Sequence, residues 1–249
     1  MNQITPVVKQ LLIVNIIIFV GTFFIPQLMD YFPMYYFENP SFEFWQPVTR
    51  MFLHAGFFHV FFSVIVLFSF GSVLEQIWGG AKFLIFYFAC GLGACIVDAL
   101  FKYFVIHDTV NLLVLNGFSE SSIFELLGKG MFDNQWSEFV SDSKLQNMLL
   151  AYMSVSFGST GIIYGLMVAF AFMFPNTSLS LFFVPVPIKA KYFVPIILTL
   201  DLAFGFFGGV SVFGNGIINY FSHIGSAVVG FILMWIWRKK QFDQFRWDK

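Results

Sequence analysis

Gly158-Ser159-Thr160-Gly161-Ile162-Ile163-Tyr164-Gly165 opens a stretch that runs on as Leu166-Met167-Val168-Ala169-Phe170-Ala171-Phe172-Met173-Phe174 and stops at Pro175-Asn176. Two hydroxyls between two glycines head a run without a single charge. A run of this kind reads as a helix inside a hydrocarbon layer, closed where proline removes a donor.

Five more apolar runs flank it: Val8 to Ile25, closed by Pro26; His54 to Leu74; Phe83 to Val105; Tyr192 to Phe207; and Ile217 to Trp237, closed by Arg238-Lys239-Lys240. No small-residue cleavage site follows the first, so it is expected to be retained. The spacing predicts an all-α membrane protein of six transmembrane helices. It forms one domain over residues 1–249, with a long connection at about 106–147 and a short tail at 238–249.

Composition excludes the alternatives. Hydrophobic residues make up 58% of the chain, charged residues 11%, and Phe alone occurs 38 times. A soluble domain carries about 25% charged residues. Mean hydropathy is +0.79. The net charge of −1 and the lack of a basic run leave nucleic-acid binding unsupported. Cys90 and Cys95 share one apolar run and read as packing residues, and neither they nor the histidines have metal-ligand spacing. No metal or cofactor is expected.

Six spans place both termini on one side. That side holds nine Lys/Arg (Lys9, Lys82, Lys189, Lys191, Arg238, Lys239, Lys240, Arg246 and Lys249), against four (Arg50, Lys102, Lys129 and Lys144) on the other. The excess marks the termini as cytoplasmic. In the long outer connection, Ser122-x-x-Glu125 fits a capping box before Leu126-Leu127, and Trp136 with several Phe suggests a segment lying on the membrane surface.

The second, fourth and sixth spans run in the same direction, and each carries polar residues: His59 and Ser63; Ser159 and Thr160; Ser222 and His223. Counted from the inner ends at about 1.5 Å per residue, Thr160, His223 and His59 all lie about 21–22 Å up. They share a level within a hydrocarbon core about 30 Å thick. A hydroxyl and an imidazole at one depth suit a nucleophile–base pair. Plain helix packing around a hydrogen-bonded histidine fits the spacing equally. Gly161 on one span and Ser226-x-x-x-Gly230 on another form small-residue seams whose meeting would bring Thr160 to His223.

These residues, in this order, resemble the rhomboid family of intramembrane proteases. The resemblance rests on Gly158-Ser159-Thr160-Gly161, on His223-Ile224-Gly225-Ser226 with Gly230, and on His59-Val60-Phe61-Phe62-Ser63. Phe44-Trp45-Gln46-Pro47-Val48-Thr49-Arg50-Met51-Phe52-Leu53-His54 and Leu74-Glu75-Gln76-Ile77-Trp78-Gly79 are also similar to the family. Phe174-Pro175-Asn176 and Pro187-Ile188-Lys189-Ala190-Lys191 are similar to bacterial, Bacteroidetes-like members. The resemblance implies an integral protein of a bacterial inner membrane. It implies cleavage of transmembrane substrates near the outer face without a cofactor. Thr160 would be the nucleophile and His223 the general base. Tyr164 would pack on the imidazole, and His59 and Ser63 would lie beside the oxyanion, at a helix start formed by Gly158, Ser159 and Gly161.

Two positions depart from the family pattern. Thr160 stands where the family has serine, and its extra methyl stiffens the first torsion and crowds attack. Ser63 stands where the family has asparagine, removing a donor whose loss costs about 10²–10³ in rate. Ser226 also replaces a usual glycine. The departures keep open a second reading, a rhomboid-like pseudoprotease that binds transmembrane clients. An unrelated transporter or channel has no broken-helix repeat or charge ring behind it. Three further residues carry expectations. His54 is assigned a structural hydrogen bond or a place in the site. Asp98 and Lys102, four apart, are expected to form an ion pair near the outer interface. Asp201 lacks an evident local partner and is left between a structural role and the site wall.

Overall fold

The computed structural model describes residues 4–181, 184–207 and 219–244. Its principal helices are α1 (Pro6–Phe24), α2 (Phe57–Trp78), α3 (Gly80–Leu115), α4 (Glu120–Gly128), α5 (Trp136–Phe139), α6 (Asp142–Met153), α7 (Thr160–Met173), α8 (Ala190–Phe207) and α9 (Asn219–Gln244). Single turns at Leu28–Tyr31, Gln46–Thr49 and Arg50–Phe52 connect α1 to α2. Ile217, the expected start of the last span, and the side chains of Arg238, Lys239 and Lys240 lie outside the described residues.

Helix α1 starts with Pro6 in its first turn, where a missing N–H costs nothing. Its free backbone donors are met from a distance. Glu75, near the end of α2, accepts from Val7 N (3.0 Å) and Val8 N (2.8 Å), and the Thr5 hydroxyl donates to the same carboxylate. Helix α2 passes through a π-helical turn at Leu67–Gly71 and ends at Gly79, whose φ of +78° suits glycine.

Among the described residues, α1, α2, α3 and the Tyr220–Trp237 part of α9 are long and apolar enough to cross a membrane. Their outward faces carry Ile16, Phe24, Phe58, Ile96, Phe104, Phe231 and Trp235, all exposed. Such a surface is stable only against lipid, and the chain is an integral membrane protein. Helix α7 is the inverse. Every residue from Thr160 to Phe170 is buried, which makes it the central helix. At 14 residues it is about 21 Å long, less than the hydrocarbon thickness.

Three features differ from the sequence expectation. First, α3 has 36 residues, about 54 Å, and continues to Leu115. The segment 106–115 is therefore helix, and it projects beyond the hydrocarbon. There Ile106, Val110 and Leu113 pack with Tyr36, Ile123, Leu127, Met148 and Tyr152 into a separate small core. Trp136 sits in that core at 1% exposure, covering the apolar face that α3 supplies. Second, α4 begins at Glu120 with Ser119 as N-cap. Ser122 is thus inside the helix, and Glu125 pairs with Lys129 at 2.6 Å instead of closing a capping box. Third, the connection after α7 is an antiparallel hairpin of β1 (Ser178–Leu181) and β2 (Val184–Lys189), with Ser178 opposite Lys189 and Leu179 opposite Ile188. Prolines alternating with β-branched residues at 184–188 forbid a helix and fit an edge strand.

Candidate active site

The site assembles where α7 begins. Gly158 has φ of +108°, and its N–H donates to Arg50 O at 2.8 Å. A Cβ at 158 would lie 2.6 Å from His59 Cε1, 2.9 Å from His59 Nε2 and 3.6 Å from Thr160 Oγ1. Glycine is therefore required twice, by conformation and by the imidazole against it. Ser159 is the N-cap residue, but its hydroxyl turns away from the helix start and meets His54 Nε2 at 3.2 Å. Thr160 is the first helical residue and is 8% exposed. The first intrahelical bond is Ile163 N to Ser159 O, which leaves the amides of Thr160, Gly161 and Ile162 without a helical acceptor.

Close packing brings α9 against this start. A Cβ on Gly230 would lie 3.0 Å from Gly165 Cα, and one on Gly161 would lie 2.8 Å from Ala94 Cβ and 3.1 Å from Ser222 Oγ. The α7 and α9 seams thus meet, with α3 as the third wall. Tyr164, one turn into α7, lies flat on His223, ring centroids 4.3 Å apart and planes 11° from parallel.

The two imidazoles are held in opposite tautomers. Ala55 N donates to His59 Nδ1 at 3.2 Å, so in the neutral ring Nε2 carries the proton and acts as a donor. His223 Nδ1 donates to the Asp201 carboxylate on α8. A carboxylate only accepts, so the neutral His223 ring keeps its lone pair on Nε2. Both Nε2 atoms are buried with no hydrogen-bond partner among the described residues. The result is a buried N–H on His59, which packs with Thr160 around Gly158, and a buried base on the His223 ring stacked on Tyr164. No hydrogen bond joins Thr160 to His223 among the described residues. Such contacts are often long before substrate binds.

A charged network braces the other side. Arg50 Nη2 donates to Ser222 Oγ at 2.9 Å, and Arg50 Nη1 lies 3.5 Å from Asp98 Oδ2. The expected Asp98–Lys102 pair is present at 3.9 Å. It is fully buried, though, and shares Asp98 with Arg50 and with the Ser156 hydroxyl. Lys102 Nζ reaches Ser154 O (2.9 Å) and Ser156 Oγ (3.1 Å).

Ser63 lies behind the helix start. Its Oγ is buried without a partner and lines a cavity of about 10 Å³ with Asn15, Tyr87, Ser159 and Ile162. That is about the room one water needs, and the Asn15 side chain and the Tyr87 hydroxyl lie beside it. Among the described residues, no three His, Cys, Asp or Glu side chains cluster as a metal site.

Sequence reasoning left Asp201 and Arg50 without partners. Each pairs across a long sequence separation, and only the three-dimensional packing reveals it. His54 was placed between two roles, and its bond to Ser159 puts it beside the site.

A family model described as Rhomboid domain matches residues 41–138 and 137–240, most of the chain. Two curated relatives from Bacillus subtilis (strain 168) are similar over short segments. Rhomboid protease GluP is 34% identical over 60 residues, which is 24% of this chain and 12% of that protein. Putative rhomboid protease YdcA is 40% identical over 50 residues, 20% of this chain and 25% of that protein.

Proposed function

This chain belongs to the rhomboid family, and from that premise we propose that it is an intramembrane serine-type endopeptidase in which Thr160 takes the place of the serine nucleophile. The observation that carries the reading is the pair of opposed imidazoles at the start of α7. His59, packed with Thr160 against Gly158, offers an N–H, and His223, stacked on Tyr164 one turn further into α7, offers a lone pair.

The chemistry follows from those positions. Thr160 Oγ1 attacks the carbonyl carbon of a substrate peptide bond while its proton passes to His223 Nε2. The oxyanion forms against the His59 Nε2–H and the free amides at the positive end of α7. Collapse breaks the C–N bond, and the protonated His223 delivers its proton to the leaving amine. Water, deprotonated by the same imidazole, then hydrolyses the acyl ester and frees Thr160. Burial of the site strengthens each of these interactions by excluding bulk solvent.

The substrates in this reading are transmembrane proteins cut near the outer face, in a bacterial inner membrane. The chain makes six crossings as one domain, with α7 and α8 completing the set, and both termini are cytoplasmic. The nine-to-four distribution of Lys and Arg supports that orientation. A cytoplasmic reporter fused after Lys249 is expected to be active. Activity of a periplasm-only reporter at that point contradicts the topology.

A second reading, a pseudoprotease that holds transmembrane clients, is favoured by Ser63, whose short side chain leaves its hydroxyl unpartnered. A serine-directed fluorophosphonate separates the two readings. A peptidase is labelled on Thr160, and the label is lost in Thr160→Ala and in His223→Ala. A folded wild-type chain that takes no label and cuts no model transmembrane substrate is the client-binding protein.

A further inference from the structure

Asp201 is 1% exposed on α8, and its partner His223 is fully buried on α9. An isolated carboxylate in such surroundings is costly, and buried charges persist only where they are paired and hydrogen-bonded. Three groups on the neighbouring helices face Asp201. The His223 Nδ1–H donates to it, and the Tyr164 and Tyr220 side chains are near enough to feel its charge. Tyr164 also stacks on the His223 ring. Two contacts therefore fix that ring. Tyr164 sets its plane, and Asp201 sets its rotation within the plane and the nitrogen that carries the proton.

We propose that Asp201 is the positioning residue of a hydroxyl–imidazole–carboxylate relay, Thr160–His223–Asp201. The proposal rests on the reading of Thr160 as nucleophile and His223 as base. A threonine attacks more slowly than a serine because its methyl restricts the torsion and the approach. A carboxylate on the far nitrogen raises the basicity of the near one and stabilises the imidazolium that forms as the proton moves. Asp201 thus supports the base at a site whose nucleophile is hindered. The Nδ1 proton stays on His223 throughout, and only the proton on Nε2 is taken up and given away.

A purely structural pair, tying α8 to α9, makes a different prediction. It would change stability without changing what His223 does. The test uses the full chain in detergent, with ¹⁵N-labelled histidine and the His223 signal assigned by its loss in His223→Gln. The expected wild-type spectrum is that of a neutral ring protonated on Nδ1. In Asp201→Asn, phosphonate labelling of Thr160 is expected to slow by about 10²-fold or more. Asp201→Glu should recover part of the rate. A wild-type ring protonated on Nε2 overturns the relay and needs no folded variant. So does Asp201→Asn with a wild-type labelling rate, and either result leaves the peptidase reading standing. A wild type that is never labelled overturns the peptidase reading instead, and the relay's catalytic purpose with it.

Discussion

Arg50 donates to Ser222, the residue immediately before His223, across 172 positions of sequence, and the distance is 2.9 Å. The same guanidinium faces Asp98 on α3 and offers its own carbonyl to Gly158 N. One side chain and its backbone thus link the start of α7, the approach to His223 and the buried end of the charge network. Arginine suits this place because its fork presents several donors in fixed directions.

Arg50→Ala should therefore be severe. It leaves Asp98 buried with Lys102 at 3.9 Å and the Ser156 hydroxyl as its remaining partners. Breaking a buried pair by removing one partner costs about 3–5 kcal/mol. Thermal unfolding in detergent should show a marked fall in Tm, and Arg50→Lys should fall between that variant and wild type. An unchanged Tm in Arg50→Ala means that the network contributes little.

Glu75→Gln tests the remote cap on α1. The carboxylate accepts from two backbone amides and the Thr5 hydroxyl, and charge-assisted bonds are about twice as strong as neutral ones. A loss of about 1–2 kcal/mol is expected, the size of a helix cap. Amide exchange at Val7 and Val8 should accelerate. Thr5→Ala and Glu75→Gln should combine less than additively, because both act through one group. Full additivity would show that Thr5 is held by something else.

Much of this was readable from sequence, for a physical reason. Hydrocarbon demands long apolar runs, so the four spans at α1, α2, α3 and α9 are legible, and the polar residues that break the pattern (His59, Ser159, Thr160, Ser222 and His223) are conspicuous. The glycine seams of α7 and α9 were readable because close helix approach needs small residues at a fixed spacing. What stayed hidden was pairing between distant elements. Asp201 and His223 lie on different helices, and nothing local to either marks the other. The burial of Trp136 depends on the extra length of α3, which no local signal in the sequence marks. Ser122 misled because the helix starts three residues earlier, with Ser119 at the N-cap position.

Gly158→Ala separates geometry from stability at the site. The φ of +108° disfavours any side chain, and the added Cβ would press on His59 Cε1 from 2.6 Å. Strain of this kind costs about 1–3 kcal/mol. Labelling of Thr160 should fall much further than stability does, because His59 must move from its place. Adding His59→Ala should return some stability and no labelling. Recovery of labelling in that double variant would show that His59 takes no part in the chemistry.

The Thr160→Ser, Ser63→Asn double variant asks whether the scaffold is still that of a working protease. Thr160→Ser removes the methyl that crowds attack and frees the side chain to rotate. Ser63→Asn sends a longer amide from α2 into the space that Ser63 now shares with Asn15, Tyr87 and Ser159. That amide brings a donor whose absence is worth about 10²–10³ in rate at an oxyanion site. The two changes act on separate parts of the barrier, though neighbours in one site need not add. The expected result is cleavage of a model transmembrane substrate well above that of the parent chain, in detergent and in liposomes. Adding His223→Ala should abolish the gain. Gel-based cleavage measures it, with Tm as the check on folding. A well-folded double variant that stays silent on several transmembrane substrates would place the defect beyond these two positions. The client-binding reading would then account for the chain better than the peptidase reading.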